Sequence, residues 1–160
     1  MQSKYFLTGF VLLLLACSKP IFYNKYKNID NNKWSINNPV VFKVVVKDSI
    51  TTYNIFLNIR NNNKYPYSNI FLVVTTYFEN TISEIDTLEY KMADASGRWL
   101  GTGFTDVKEN KLIFKTNYKF PKKGSYKFSI VHANRKNGNL NGDKFLVGIT
   151  DVGLSIENYE

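Results

Sequence analysis

Few side chains in this 160-residue chain could do acid–base or covalent chemistry, and their spacing argues against a catalytic centre. His132 is the single histidine and ends an alternating run, Tyr126 to Val131. A general base needs a reacting proton within hydrogen-bond reach, and an activated nucleophile needs such a base beside it. Ser96 lies in Ala95-Ser96-Gly97 and lacks the Gly-x-Ser-x-Gly form of a nucleophile elbow. No His/Cys cluster has metal-ligand spacing, and no glycine-rich phosphate loop precedes a helix pattern. Glu84, Asp86 and Glu89 are candidates for the paired carboxylates of a glycosidase, but their pattern reads as a solvated strand face. The expectation is a protein without catalytic residues, metal or cofactor, in which His132 is a polar strand-end residue.

The single cysteine carries a more specific signal. Lys4 is the only charge ahead of an apolar run, Tyr5 to Ala16, which is short of the ~20 residues of a bilayer-spanning helix. It fits the apolar region of a secretory signal. The run ends in Leu14-Leu15-Ala16-Cys17, which resembles a bacterial lipobox. That resemblance implies a diacylglycerol on the Cys17 thiol, cleavage before Cys17 and acylation of the new amino terminus, for example by palmitate. Several acyl chains on one residue anchor a protein stably where one chain does not. With one cysteine, no intrachain disulfide forms. Residues 1–16 are therefore expected to be a signal peptide. Pro20 and the polar run Asn24–Asn32 show no clean periodicity, so 17–33 reads as the lipidated N-terminus and a tether, reaching roughly 20–25 Å. Residues 34–160 are left as the folded domain.

Two stretches hold the candidates for contact with a partner. Ala93-Asp94-Ala95-Ser96-Gly97-Arg98-Trp99-Leu100-Gly101-Thr102-Gly103-Phe104 is the densest cluster of special residues. Asp94 to Gly97 reads as a tight turn, because Asp and Ser bond neighbouring backbone and Gly accepts positive φ. The spacing predicts that Asp94 lies near Arg98 and that Trp99 is largely buried. The loop Tyr65-Pro66-Tyr67-Ser68 pairs two tyrosines, which give contact area at low entropic cost. Arg60, on the polar face of an alternating run, completes the set Arg60, Tyr65, Tyr67, Arg98 and Trp99.

The elements that must position these residues are strands. The chain is 44% hydrophobic and 16% aromatic, a composition of pleated surfaces with asparagine and glycine at the turns. Val40–Lys47, Tyr53–Arg60 and Tyr126–Ile130 alternate apolar and polar residues, while Ile70–Phe78 is apolar on both faces and suits a central strand. Ile85–Met92, Phe104–Val107, Lys111–Thr116, Leu146–Ile149 and Val152–Ile156 give weaker or shorter strands, and Asn80–Ser83 a turn. About seven to nine short strands predict an all-β, antiparallel β-sandwich, with a closed barrel as the alternative. The formal charge of +8 falls to +7 once residues 1–16 are removed. Scattered lysines of this kind guard sheet edges. Export and core-facing aromatics exclude nucleic acid as a partner.

Several segments together resemble the gliding-motility lipoprotein H (GldH) family of Bacteroidota. They are Tyr53–Asn61, Tyr65–Leu72, Ala93–Gly101, Phe120-Pro121 with Gly124-Ser125-Tyr126, and Asp151–Leu154. The Gly97–Gly101 run and the Tyr65–Asn69 loop are the most specific; the Asn134–Asp143 loop is longer than the family leads one to expect. The resemblance implies a non-enzymatic envelope lipoprotein tied to gliding motility and, through that machinery, to type IX secretion. Its partners would be the membrane, through Cys17, and other envelope proteins, with no small-molecule substrate. Ser18-Lys19 is not acidic, unlike some surface-export signals, so a periplasm-facing location is expected, at the outer membrane before the inner. Two other classes stand beside this reading. A carbohydrate- or peptidoglycan-binding module would expose Trp34, Tyr65, Tyr67 or Trp99 as coplanar stacking faces, and a hydrolase would gather perturbed carboxylates in a pocket.

Overall fold

A computed structural model describes residues 21–159. Ten strands follow one another: β1 (Ile21–Asn28), β2 (Lys33–Ser35), β3 (Val40–Val46), β4 (Thr52–Asn61), β5 (Asn69–Phe78), β6 (Thr81–Lys91), β7 (Lys108–Lys119), β8 (Gly124–His132), β9 (Phe145–Val147) and β10 (Ile149–Asn158). A single 3-10 turn, Asp30–Asn32, interrupts them. The strands form one four-stranded sheet in the order β1-β10-β4-β7 and another in the order β3-β8-β5-β6, with β2-β9 as a small ribbon. Every pairing is antiparallel. The expected all-β sandwich is the architecture found, and no barrel closes.

The alternation read from the sequence sets which face is inside. Ile55, Leu57 and Ile59 of β4 and Val152, Leu154 and Ile156 of β10 are buried on the inner face of the first sheet. Phe42, Val44 and Val46 of β3, Leu72 and Val74 of β5, and Phe128 and Ile130 of β8 oppose them from the second. A one-residue slip in any of these strands would turn the whole set to water. As expected, β5 is central, between β8 and β6. The β5–β6 hairpin turns on Glu79 and Asn80, both at positive φ, the geometry of a two-residue hairpin loop. It is therefore tighter than Asn80–Ser83, and β6 restarts at Thr81. Phe104–Val107 forms no strand; a Thr102–Glu109 bridge and a bond from Lys108 Nζ to the Gly103 carbonyl (2.5 Å) tie the start of that segment to β7.

The tether expected over 17–33 is corrected. Residues 21–28 are β1, an edge strand paired with β10, and 33–35 are β2, so the folded domain begins at Ile21. The signal was hidden by a register shift between Ile21 and Tyr23 and by exposed Asn24, Lys25, Lys27 and Asn28. Tyr23 and Tyr26 are an odd number of residues apart and serve opposite faces, so no apolar alternation shows. The signal peptide and Cys17 lie outside the described residues.

The two sheets share two polar ends. Ile21, Tyr159, the β3–β4 loop (residues 47–51), the β5–β6 hairpin and the β7–β8 loop (residues 120–123) lie at one end. The loops 62–68, 92–107 and 133–144 lie at the other. The contact candidates in these loops therefore gather far from Ile21.

Candidate interaction surface

Three aromatic rings form a row at the loop end. Tyr65 is buried at 3% exposure, with its ring centroid 6.0 Å from both Tyr67 and Trp99. Its hydroxyl donates to the Asn69 carbonyl at 2.7 Å, and burial pushes its pKa well above the ordinary tyrosine value. Gly148, at φ 85, explains how the chain can lie so close, since a Cβ there would meet the Tyr65 nitrogen at 2.3 Å. Tyr65 is thus a packing element, and the expectation that it contacts a partner directly is corrected.

Tyr67 and Trp99 flank it, both half-buried. The Tyr67 hydroxyl donates to the Asp143 carboxylate. Burial and then this bond push its pKa up to about 12. The Trp99 indole N–H donates to Asn63 Oδ1 at 3.2 Å. Trp99 is therefore less buried than its type and position predicted. The rings meet at 70° and 52°, edge-on or tilted, and Trp34 is buried at 1% exposure beside His132. Coplanar exposed faces, which a sugar-stacking platform needs, are absent from this set.

The Asp94–Arg98 turn is closed as its spacing predicted. Asp94 accepts bonds from the Ser96 N–H (2.9 Å), the Ser96 hydroxyl (2.6 Å), the Arg98 N–H (3.0 Å) and Arg98 Nε (3.1 Å). The Ser96 hydroxyl first, and then the Arg98 backbone, hold its carboxyl at about 2. Gly97 takes φ 82 at the bend. The Ala93–Trp99 bridge and the bond from the Leu100 N–H to the Met92 carbonyl (2.9 Å) then return the chain beside the end of β6. Arg98 spends one nitrogen on this turn and leaves 83% of its side chain exposed.

Arg60 is not part of the row. It sits on the outer face of the first sheet, with Nε 2.8 Å from Glu109 Oε2 and Cζ 4.3 Å from the Tyr26 ring centroid. The Tyr26 hydroxyl donates to Glu109 Oε1 at 2.6 Å. Burial alone would raise the Glu109 pKa, but the bonds from Tyr26 and Arg60 outweigh it and leave it lowered. Arg60 is accordingly a clasp across β1, β4 and β7.

Sequence patterns passed over other residues of this surface. Asn134 is buried at 1% exposure and pins the 133–144 loop to β5. Its Oδ1 accepts from the Phe71 N–H at 2.9 Å and its Nδ2 donates to the Asn69 carbonyl at 3.3 Å. A depression of about 590 Å³ lies between Tyr67, Asn69, Phe71, Arg135 and Leu140. A second of about 550 Å³, lined by Asn69, Lys91, Asp94 and Leu100, adjoins it at Asn69. Leu140 is 95% exposed and Leu100 is 52% exposed along these depressions. Buried asparagines that fix loops have no periodicity to betray them. The surface offers apolar contacts, the exposed cations Lys91, Arg98 and Arg135, and fixed loop backbone.

Of the candidate catalytic groups, Glu89 lines the second depression and the others stand elsewhere. His132 is buried at 1% exposure, and neither ring nitrogen has a hydrogen-bond partner among the described residues. Burial pushes its pKa below the ordinary histidine value; the nearby Trp34 backbone, outside hydrogen-bond geometry, offsets part of that shift. Glu84 and Asp86 are corrected from a solvated face to an ion cluster at the seam between the sheets. Lys115 Nζ of β7 lies 2.7 Å from Glu84 Oε1 and 2.9 Å from Asp86 Oδ1. Glu89 accepts from Asn69 Nδ2 at 2.7 Å. Among the described residues no three His, Cys, Asp or Glu side chains converge on a point that could hold a metal.

Comparison with known proteins bears on the whole domain. The family described as GldH lipoprotein matches residues 21–156. The gliding motility lipoprotein GldH homolog of Christiangramia forsetii is 46% identical over 147 residues, covering 92% of this chain and 90% of that one. The gliding motility lipoprotein GldH of Flavobacterium johnsoniae is 43% identical over 146 residues, covering 91% and 90%. Among solved structures, the infectious bursal disease virus VP2 subviral particle matches 89% of this chain and 32% of its own, at 17% identity and a TM-score of 0.37, too low to bear on function.

Proposed function

The chain belongs to the GldH lipoprotein family, and from that premise we propose that it is a non-enzymatic envelope lipoprotein that supports gliding motility through protein–protein contact. Cys17 carries the lipid, and the domain faces the periplasm, at the outer membrane before the inner. The partner is another protein of the motility apparatus, and type IX secretion depends on the same contact. The observation that carries this reading is the loop end, where Tyr67 of the aromatic row and exposed Leu140 line one depression, exposed Leu100 lines the next, and Arg98 stands exposed in the turn that leads to Leu100. Loops fixed on a rigid scaffold are where binding residues concentrate. Tilted, packed rings count against the carbohydrate platform, and the unpartnered His132 counts against histidine-dependent hydrolysis.

The test is complementation of a strain lacking the gene. Arg98→Ala and Leu140→Asp should leave the protein at normal abundance in the envelope and yet reduce colony spreading and secretion. Full spreading by both variants would overturn the assignment of the loop end. Cys17→Ala should lose fatty-acid label and membrane retention.

A further inference from the structure

We propose that the end of the sandwich opposite the candidate loops is a membrane-contact surface, which rests on the anionic phospholipid headgroups of the leaflet holding the anchor. The inference takes Cys17 lipidation from the functional proposal and goes beyond it in assigning a face, an orientation and a lipid chemistry.

The length of chain outside the described domain sets the geometry. β1 begins at Ile21, only four residue steps from Cys17. Fully extended, four steps span about 14 Å. The reach of a sixteen-residue tether is therefore lost, and the Ile21 end of the sandwich is held at the interface. Everything that shares this end must face lipid. The strand order places there the β3–β4 loop, the β5–β6 hairpin, the β7–β8 loop and the chain's last strand residues.

The residues at this end suit that position. Lys47, Lys119, Lys122 and Lys123 are all exposed. Ile50 is 77% exposed and Phe22 38% exposed, beside a Tyr53 ring 5.3 Å away. The acids at this end are Asp48, Glu79 and Glu157, the last paired with Lys111 Nζ at 2.6 Å. The Asp48 carboxylate is already occupied by the Ile50 N–H at 2.8 Å, the Thr51 N–H at 3.2 Å and the Thr51 hydroxyl. Those bonds also hold Ile50 at the tip of its loop. Lysines around an exposed isoleucine are the pattern of a surface that pairs with phosphates and inserts one apolar side chain. Each lysine near an anionic leaflet raises partitioning about fivefold, an attraction that fades within a Debye length of about 8 Å at physiological salt. The short spacing keeps the lysines inside that range.

The experiment uses the lipidated chain in phosphatidylcholine vesicles with and without phosphatidylglycerol. The thioether consumes the Cys17 sulfur, so a cysteine introduced as Ile50→Cys or Leu140→Cys is the one free thiol for a fluorophore. Nitroxide lipids then report depth. The Ile50→Cys label should be quenched on phosphatidylglycerol vesicles, at least about fivefold less so without the anionic lipid or in high salt, while the Leu140→Cys label stays unquenched. The combined variant Lys47→Glu, Lys119→Glu, Lys122→Glu, Lys123→Glu should lose the quenching and keep its anchor; the salt series on the parent asks the same question should that variant fail to fold. An anchored protein whose Ile50→Cys label is unquenched, is quenched no more than Leu140→Cys, or ignores salt and lipid charge overturns the inference alone. A chain that leaves the vesicles overturns Cys17 lipidation and this inference with it.

Discussion

Trp99 stands 6.0 Å from Tyr65, ring centroid to ring centroid, and the two divide the work at the loop end: Tyr65 is buried while Trp99 lies half across it. Substituting each by alanine separates anchor from cover. Tyr65→Ala removes a filled ring and should cost about 3–5 kcal/mol. Trp99→Ala should cost roughly half of that, since much of its ring already meets water. In a domain of this size 1 kcal/mol moves the melting temperature by roughly 2–4 °C. Thermal unfolding that finds Trp99→Ala the more damaging of the two would refute this division.

Gly153 is occupied space. A Cβ there would meet Tyr26 Cδ1 at 2.7 Å, because the Tyr26 ring lies over β10 on its way to Arg60 and Glu109. Gly153→Ala should destabilise the protein by about 1–3 kcal/mol through overpacking. In a Tyr26→Ala background the same change should be nearly neutral, so a double-mutant cycle in urea gives a coupling of comparable size. Additive effects would show that glycine serves the strand's backbone and not the ring.

The contrast between these two sites shows what could be read from residue order. The inner faces of β3, β4, β5, β8 and β10 follow from period-two alternation, which the pleat imposes and burial enforces. The Asp94–Arg98 turn was legible because its chemistry is local: an acid, a serine and a glycine within five residues. β1 was not, because its two half-buried tyrosines serve opposite faces. The Tyr67–Asp143 bond, the Trp99–Asn63 bond and the Lys115 cluster join residues 76, 36 and 29–31 positions apart, and no local pattern marks such pairs.

His132 should act as a weak point in acid. Burial favours its neutral form, so the unfolded chain binds a proton more readily than the folded one. Stability is therefore full above the ordinary histidine pKa near 6.5 and falls as pH drops from there toward the lowered folded value. His132→Leu removes two unpartnered nitrogens from the core. Its melting temperature at pH 7 should equal or exceed the parent's, and the loss between pH 6.5 and 5 should shrink. An unchanged pH profile would assign that loss to other groups.

Lys115 offers the strongest test of how the two sheets are locked. It leaves the inner side of β7 and places one ammonium between Glu84 and Asp86 of β6, with its own side chain 20% exposed and theirs 42% and 22%. Burial lowers its pKa, but the two carboxylates outweigh burial and leave it raised. Its contribution is thus complete at neutral pH and is lost as pH climbs through the raised value. Lys115→Met leaves two carboxylates facing each other at a partly dry seam. A fully buried broken pair costs 3–5 kcal/mol, and solvent screening at this exposure reduces that to about 1–2 kcal/mol. Adding Glu84→Gln and Asp86→Asn to Lys115→Met should recover much of the loss at pH 7, because it removes the charges as well as their cation. If the triple variant melts no higher than Lys115→Met alone, the contact of the ammonium with the Phe114 ring, whose centroid lies 5.0 Å from Nζ, is what holds the seam.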